Sequence, residues 1–161
     1  MEKSVKIVKI PFVANTECVI TALEGDKNLT ERMAQMGILP GSRLRIVRVS
    51  PLGGTVEVVI DQSESLALRI EELRRLNCKL TAIPLSQISL SGGKRYRVQK
   101  FLGGKMFFQK MRDAGIEVGE EVEILDNLGF RLKNKKNQIV ALGRGEAEKI
   151  ILEPLEENGQ E

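Results

Sequence analysis

The chain has no histidine and no tryptophan, and only two of its 161 residues are cysteine. Without histidine it lacks the commonest general base, the commonest transition-metal ligand and the usual physiological-pH switch. Ser-His-Asp triads, HExxH sites and Cys/His zinc sites are thereby excluded. Aromatic residues make up 4% of the chain, too few for a base-stacking platform or an aromatic cage. Cys18 and Cys78 lie sixty positions apart and outside any CxxC pattern, so no disulfide framework or redox motif is expected. Free thiols and the lack of a signal-peptide pattern point to a reducing, intracellular setting. Apolar runs are only a few residues long, and no membrane-spanning segment is expected. The 25 basic residues barely exceed the 22 acidic ones, so net charge alone is a weak argument for nucleic acid.

What the chain does contain is a repeat. The stretch ERMAQMGILPG from Glu31 returns as QKMRDAGIEVG from Gln109, an offset of 78. The same offset pairs Ile7 with Leu85, Ile10 with Ile88, Phe12 with Leu90, Ile20 with Val98, Gly25 with Gly103, and Leu44 with Val122. After two short deletions Val56 and Val58 fall on Phe130 and Leu132. The matched positions are glycines and apolar residues, which set turns and cores. Two copies of one small fold are expected, residues 1–80 and residues 82–154, the second more divergent, with a flexible acidic tail over 155–161.

Most of the periodicity is two. Val56, Val58 and Ile60 alternate with more polar neighbours, as do Val122 with Ile124 and Phe130 with Leu132, so short half-buried strands are predicted. One segment per copy has helical spacing, Leu29-Met33-Met36 and Phe107-Met111-Ala114. Asn28 with Glu31 predicts a capping box, and Gly37 and Gly115 suit left-handed C-terminal caps. About five strands and one short helix per copy predict a mainly β protein of two tandem small barrels.

The first copy closely resembles the FeoA family. ERMAQMGILPG (Glu31 to Gly41), SPLGGTVEV (Ser50 to Val58) and LALRIEEL (Leu66 to Leu73) carry the resemblance in order and spacing. The second copy keeps the helix-glycine element and VALGRGEAEKI (Val140 to Ile150). The resemblance implies SH3-like small β-barrels and a cytoplasmic accessory role in ferrous-iron uptake. The implied partner is the membrane GTPase-permease FeoB, which would bring the chain to the inner face of the membrane. The second copy departs where a partner would bind: it has Asn127-Leu128-Gly129-Phe130 for Pro51-Leu52-Gly53-Gly54, Lys110 for Arg32 and Gly143 for Arg69.

The candidate partner-binding residues are therefore Leu39, Pro40, Pro51, Leu52, Gly53 and Gly54, with Arg32 and Arg69 as polar anchors. Proline and two glycines let the Pro51–Gly54 loop turn tightly and hold Leu52 outward; in the plain-turn alternative Leu52 folds back on the core. Arg32 and Arg69 fit bidentate anion contacts, or pair locally with Glu31, Glu71 or Glu72. No catalytic residue, cofactor or metal ligand is expected. Gly93-Lys94 and Gly104-Lys105 lack the other positions of a Walker A loop. The acids Asp113, Glu117, Glu120, Glu121, Glu123 and Asp126 read as a solvated face rather than an iron site.

Charge is segregated in the second copy: seven basic residues and no acid from Ala82 to Arg112, then six acids and no base from Asp113 to Asp126. At equivalent positions the copies carry opposite signs, Arg43 and Arg45 against Glu121 and Glu123, Glu17 against Arg95. Cross-strand pairing within each copy explains this pattern, as does mating of the two copies. The function expected is a non-enzymatic accessory module of iron uptake. The alternative is a nucleic-acid-binding or iron-repressor-like small barrel, although nucleic acid is not the expected partner. Edge strands leave a homo-oligomer open.

Overall fold

The computed structural model describes residues 11–88, 94–126 and 129–155. The repeat positions Ile7, Ile10 and Leu90, the pair Asn127-Leu128 and all but the first residue of the acidic tail lie outside the described residues. The chain divides into two compact units, Met1–Thr81 and Ala82–Glu161. Both are mainly β, antiparallel, with few and short helices.

In the first unit, β1 (Glu17–Leu23) leads into α1 (Lys27–Gln35), then β2 (Arg43–Val49), β3 (Thr55–Ile60), β4 (Ser65–Arg69), the single-turn α2 (Ile70–Leu73) and β5 (Leu76–Pro84). The strands lie in the order β4-β3-β2-β1-β5. This is a sheet with two ends, since no pairing among the described residues joins β4 to β5. The period-two pattern explains β3: Val56, Val58 and Ile60 are buried, and the residues between them are not. They meet Ile20, Met33, Ile38, Leu44, Ile46 and Leu68 in one cluster. Each such side chain contributes about 1.5–3 kcal/mol through burial.

The helix begins earlier than the sequence pattern predicts. Asp26, not Asn28, is the N-cap, and its carboxylate accepts the Leu29 amide at 2.9 Å. A carboxylate satisfies an orphan amide and sits favourably against the helix dipole, whereas Asn28 lies inside the first turn. Gly37 closes the helix with φ +87°, and Gly115 does the same in the second unit with φ +79°. Non-glycine residues rarely adopt that conformation.

The second unit repeats the plan. Ile83 and Pro84 at the end of β5 pair with β10 (Ile150–Pro154), which pairs with β6 (Lys94–Phe101). Then follow α3 (Lys105–Asp113), β7 (Glu121–Asp126), β8 (Arg131–Lys133), β9 (Ile139–Ala141) and the single-turn α4 (Arg144–Ala147). Val122, Ile124 and Leu132 are buried as expected. Phe130 is not a strand residue: it sits in the turn before β8 with φ +47°, and the Arg144 guanidinium lies 5.7 Å from its ring centroid. The two single-turn helices have no counterpart in the sequence reading, because four residues are too few to show a period.

The charge pattern is met inside each unit. Glu17 stands opposite Arg45 in the β1–β2 register, and Arg95 stands opposite Glu123 in the β6–β7 register. Arg95 also bonds to the Glu121 carboxylate.

Candidate functional site

The loop between β2 and β3 is braced at its base. The Ser50 amide donates to the Thr55 carbonyl at 3.0 Å and the Gly53 amide to the Ser50 carbonyl at 2.9 Å. Gly53 and Gly54 have φ of +79° and +94°, so the turn relies on their lack of a side chain. Leu52 at the tip is 98% exposed. It does not fold back on the core; the loop presents it to solvent. A cleft of about 480 Å³ opens beside the loop, between Arg48, Pro51, Thr55, Glu57 and Leu66.

The loop is tied to the start of α2, where the Ile70 amide donates to the Gly54 carbonyl at 3.0 Å. The Arg69 amide, one residue earlier, donates to a Glu72 carboxylate oxygen at 2.9 Å. The other Glu72 oxygen receives the Arg32 guanidinium from α1. Three sequence candidates, Gly54, Arg69 and Arg32, are thus gathered around α2. Of the acids in reach, Glu72 is the one engaged by both arginines, through a backbone amide in one case and a side chain in the other. The second unit builds the same junction, with the Gly143 amide and the Lys110 ammonium both donating to Glu146.

Leu39 and Pro40 stand on a separate turn between α1 and β2. The Ser42 hydroxyl donates to the Gly37 carbonyl at 3.0 Å and accepts the Leu39 amide at 3.2 Å. Ile38 is buried beneath, while Leu39 is 48% exposed.

Cys18 and Cys78 are buried free thiols on the adjacent strands β1 and β5. The Cys78 thiol hydrogen-bonds to Cys18, and this contact and burial push the Cys18 thiol far above its ordinary range. Both therefore serve as small apolar core residues. Sequence spacing gave no hint of their meeting, which follows from strand order.

Among the described residues, no group of three or more histidine, cysteine or acidic side chains is placed to hold a metal ion. Several members of the acidic run are in ion pairs or hydrogen bonds: Glu117 with Arg112, Glu121 with Arg95 and Arg97, and Asp113 with Gln109. No helix among the described residues is long and apolar enough to cross a membrane.

The model of the FeoA domain matches this chain twice, over residues 13–80 and 83–154. The chain belongs to the FeoA family. That family is associated with ferrous-iron transport. The solution structure of iron(II) transport protein A from Clostridium thermocellum is 29% identical, with a TM-score of 0.55, over 92% of this chain and 88% of that one. A crystal structure of an iron uptake regulatory protein (FeoA) is 26% identical over 47% of this chain and all of that one, TM-score 0.42. A solution structure of a Pseudomonas aeruginosa protein is 35% identical over 42% of this chain and 91% of that one, TM-score 0.36. No curated protein sequence matches.

Two features of this FeoA chain escaped the sequence reading. One is the double role of Glu72 and Glu146 as cap and anchor, of which the sequence offers only a local pairing of Arg32 or Arg69 with Glu72 among other acids. The other is a set of exposed apolar residues, Leu102, Met106 and Phe108, at the start of α3. The second had a readable signal: the aligned first-copy residues are Glu24, Asn28 and Thr30.

Proposed function

We propose that this FeoA chain is a non-enzymatic cytoplasmic accessory module. It binds and modulates a FeoB-type GTPase-permease by protein–protein contact, and each copy is an SH3-like small barrel. The domains are residues 1–80 and 82–154. The contact is made by the first copy. Leu52 is the anchor, Pro51, Gly53 and Gly54 hold it, and Leu39 and Pro40 add a second apolar point. Arg32 and Arg69 border the loop as polar anchors.

The observation that carries this reading is the exposure of Leu52 on a hydrogen-bonded, glycine-shaped loop. A loop whose backbone is already fixed by hydrogen bonds has less left to order on docking, and the apolar surface of Leu52 is free to be buried there.

The test is binding of the purified chain to the FeoB-type transporter encoded in the same genome, in detergent or nanodiscs, with and without guanine nucleotide. The expected result is saturable binding that Leu52→Asp weakens by about tenfold or more. Absence of binding in every nucleotide state would overturn the reading. Tight, salt-sensitive gel shifts with nucleic acid would favour the alternative module instead.

A further inference from the structure

The second unit has a surface that the proposed transporter contact does not use. Phe101, at the end of β6, meets Phe107 and Phe108 of α3 edge-on, with ring centroids 5.7 and 5.2 Å away. Phe107 is packed close to the preceding loop: a Cβ on Gly103 would lie 2.5 Å from its Cβ. The cluster continues into water. Met106 is 88% exposed, Phe108 41% and Leu102 40%. Side chains in a first helical turn lean back toward the helix N-terminus. The contact of Phe108 with Phe101 has that direction, and Leu102 follows Phe101 in the chain, so both lie at the N-terminal end of α3, where Met106 is exposed in the same first turn.

The charge along the segment that carries the patch is of one sign. The segment from Lys94 to Arg112 contains no acid. Lys105 opens α3, and neither it nor Lys100 has an ion-pair partner among the described residues. Lys149 lies beside them, with its ammonium 5.4 Å from the Phe107 centroid and its carbonyl accepting the Leu102 amide at 2.8 Å. The acids nearby on the chain are Glu146, which is paired with Lys110, and Glu148.

We propose that the N-terminal end of α3 and the loop before it dock on an anionic lipid surface, with Met106, Phe108 and Leu102 entering the interface and Lys105 and Lys149 facing the head groups. Exposed apolar side chains on a segment that carries lysines and no acid match the two components of peripheral membrane binding, burial at the acyl boundary and attraction to negative lipid. A solvated helix end needs neither, and the first copy has polar residues at all three aligned positions. The proposal is independent of the Leu52 contact, which belongs to the other copy.

The absence of tryptophan supplies the experiment. Met106→Trp places the single tryptophan of the chain, excited selectively above the tyrosine band, at the most exposed position of the patch. With vesicles of phosphatidylcholine and phosphatidylglycerol, its emission shifts to the blue and is quenched by brominated acyl chains. Pure phosphatidylcholine leaves it unchanged. Ile139→Trp, at an exposed apolar position on β9, shows no shift. The unsubstituted chain co-sediments with the anionic vesicles, Met106→Asp lowers its partition coefficient by about tenfold, and Lys105→Glu lowers it by about fivefold or more. Equal responses with both lipids, or no co-sedimentation of the unsubstituted chain, overturn the proposal. So does a dimer dissolved by Met106→Asp in the absence of vesicle binding, which assigns the patch to a second copy.

Discussion

Arg32 on α1 and Glu72 on α2 form an ion pair that joins the two helices of the first unit, and Lys110 with Glu146 repeats it in the second. In both units the same carboxylate also accepts the amide at the start of its own short helix, from Arg69 or Gly143. One acid therefore caps a single-turn helix and anchors the longer one. A four-residue helix is too short to persist on its own, so the junction accounts for its presence. The pairing also bears on Arg32 as a polar anchor: a partner's carboxylate would have to compete with Glu72.

The Lys110 ammonium, then the Gly143 amide, hold the Glu146 carboxyl below its ordinary range. A carboxyl depressed in the folded state stabilises the fold above its unfolded value, about 4.3, and loses that contribution as pH falls through the folded value. Glu146→Gln is therefore expected to melt below the parent at neutral pH. The gap should close as pH drops below about 4. Thermal melts of both proteins across that range test this, and a pH-independent gap would refute it.

The repeat and the strand alternation were legible because apolar residues and glycines are placed by geometry that the chain carries locally. Met33 and Met111 are both fully buried at the same helical position. Long-range relations were less legible. In sequence Glu72 is one of three acids near the arginines, and only the fold selects it. The fate of Leu52 stayed open because turn chemistry is the same whether the side chain points in or out. The cap was misplaced by two residues because Asn28 with Glu31 satisfies the capping-box pattern as written, while Asp26 forms the bond.

That difference can be measured. Asp26→Ala should cost about 1 kcal/mol, the usual value of a lost N-cap. Asn28→Ala, an exposed position inside the first turn, should stay within about 0.5 kcal/mol of the parent. In α3 the N-cap is Gly104, which has no capping side chain and open space at its missing Cβ. Gly104→Asp is expected to stabilise by a few tenths of a kcal/mol. Urea unfolding of the three variants checks the set, and equal losses for Asp26→Ala and Asn28→Ala would contradict the cap assignment.

Gly37 and Gly115 occupy equivalent left-handed positions but have different surroundings. A Cβ at Gly37 meets nothing within 4 Å, whereas one at Gly115 would lie 2.4 Å from the Asn134 side-chain nitrogen. Asn134 is buried and fully bonded. It donates to the Ala114 carbonyl and the Gln138 side chain, and it accepts the Lys136 and Gln138 amides. Gly37→Ala should therefore cost only backbone strain, about 1 kcal/mol. Gly115→Ala should cost more, because part of the Asn134 network must also yield, at about 1 kcal/mol for each hydrogen bond lost. Equal costs would mean that the Asn134 side chain moves aside freely.

The sign reversal between the copies makes a final prediction about pairing. Glu17 faces Arg45, and 78 residues later Arg95 faces Glu123. If cross-strand attraction is what matters, orientation is irrelevant and only opposition of sign counts. Glu17→Arg alone places two cations opposite one another and should destabilise by about 0.2–1 kcal/mol. Adding Arg45→Glu recreates in the first unit the arrangement already present in the second, and it should recover the loss. The effect should shrink as salt screens these surface charges. A double variant no more stable than Glu17→Arg alone would show that the two side chains do not sense each other, and that the reversed signs arose independently on the two strands.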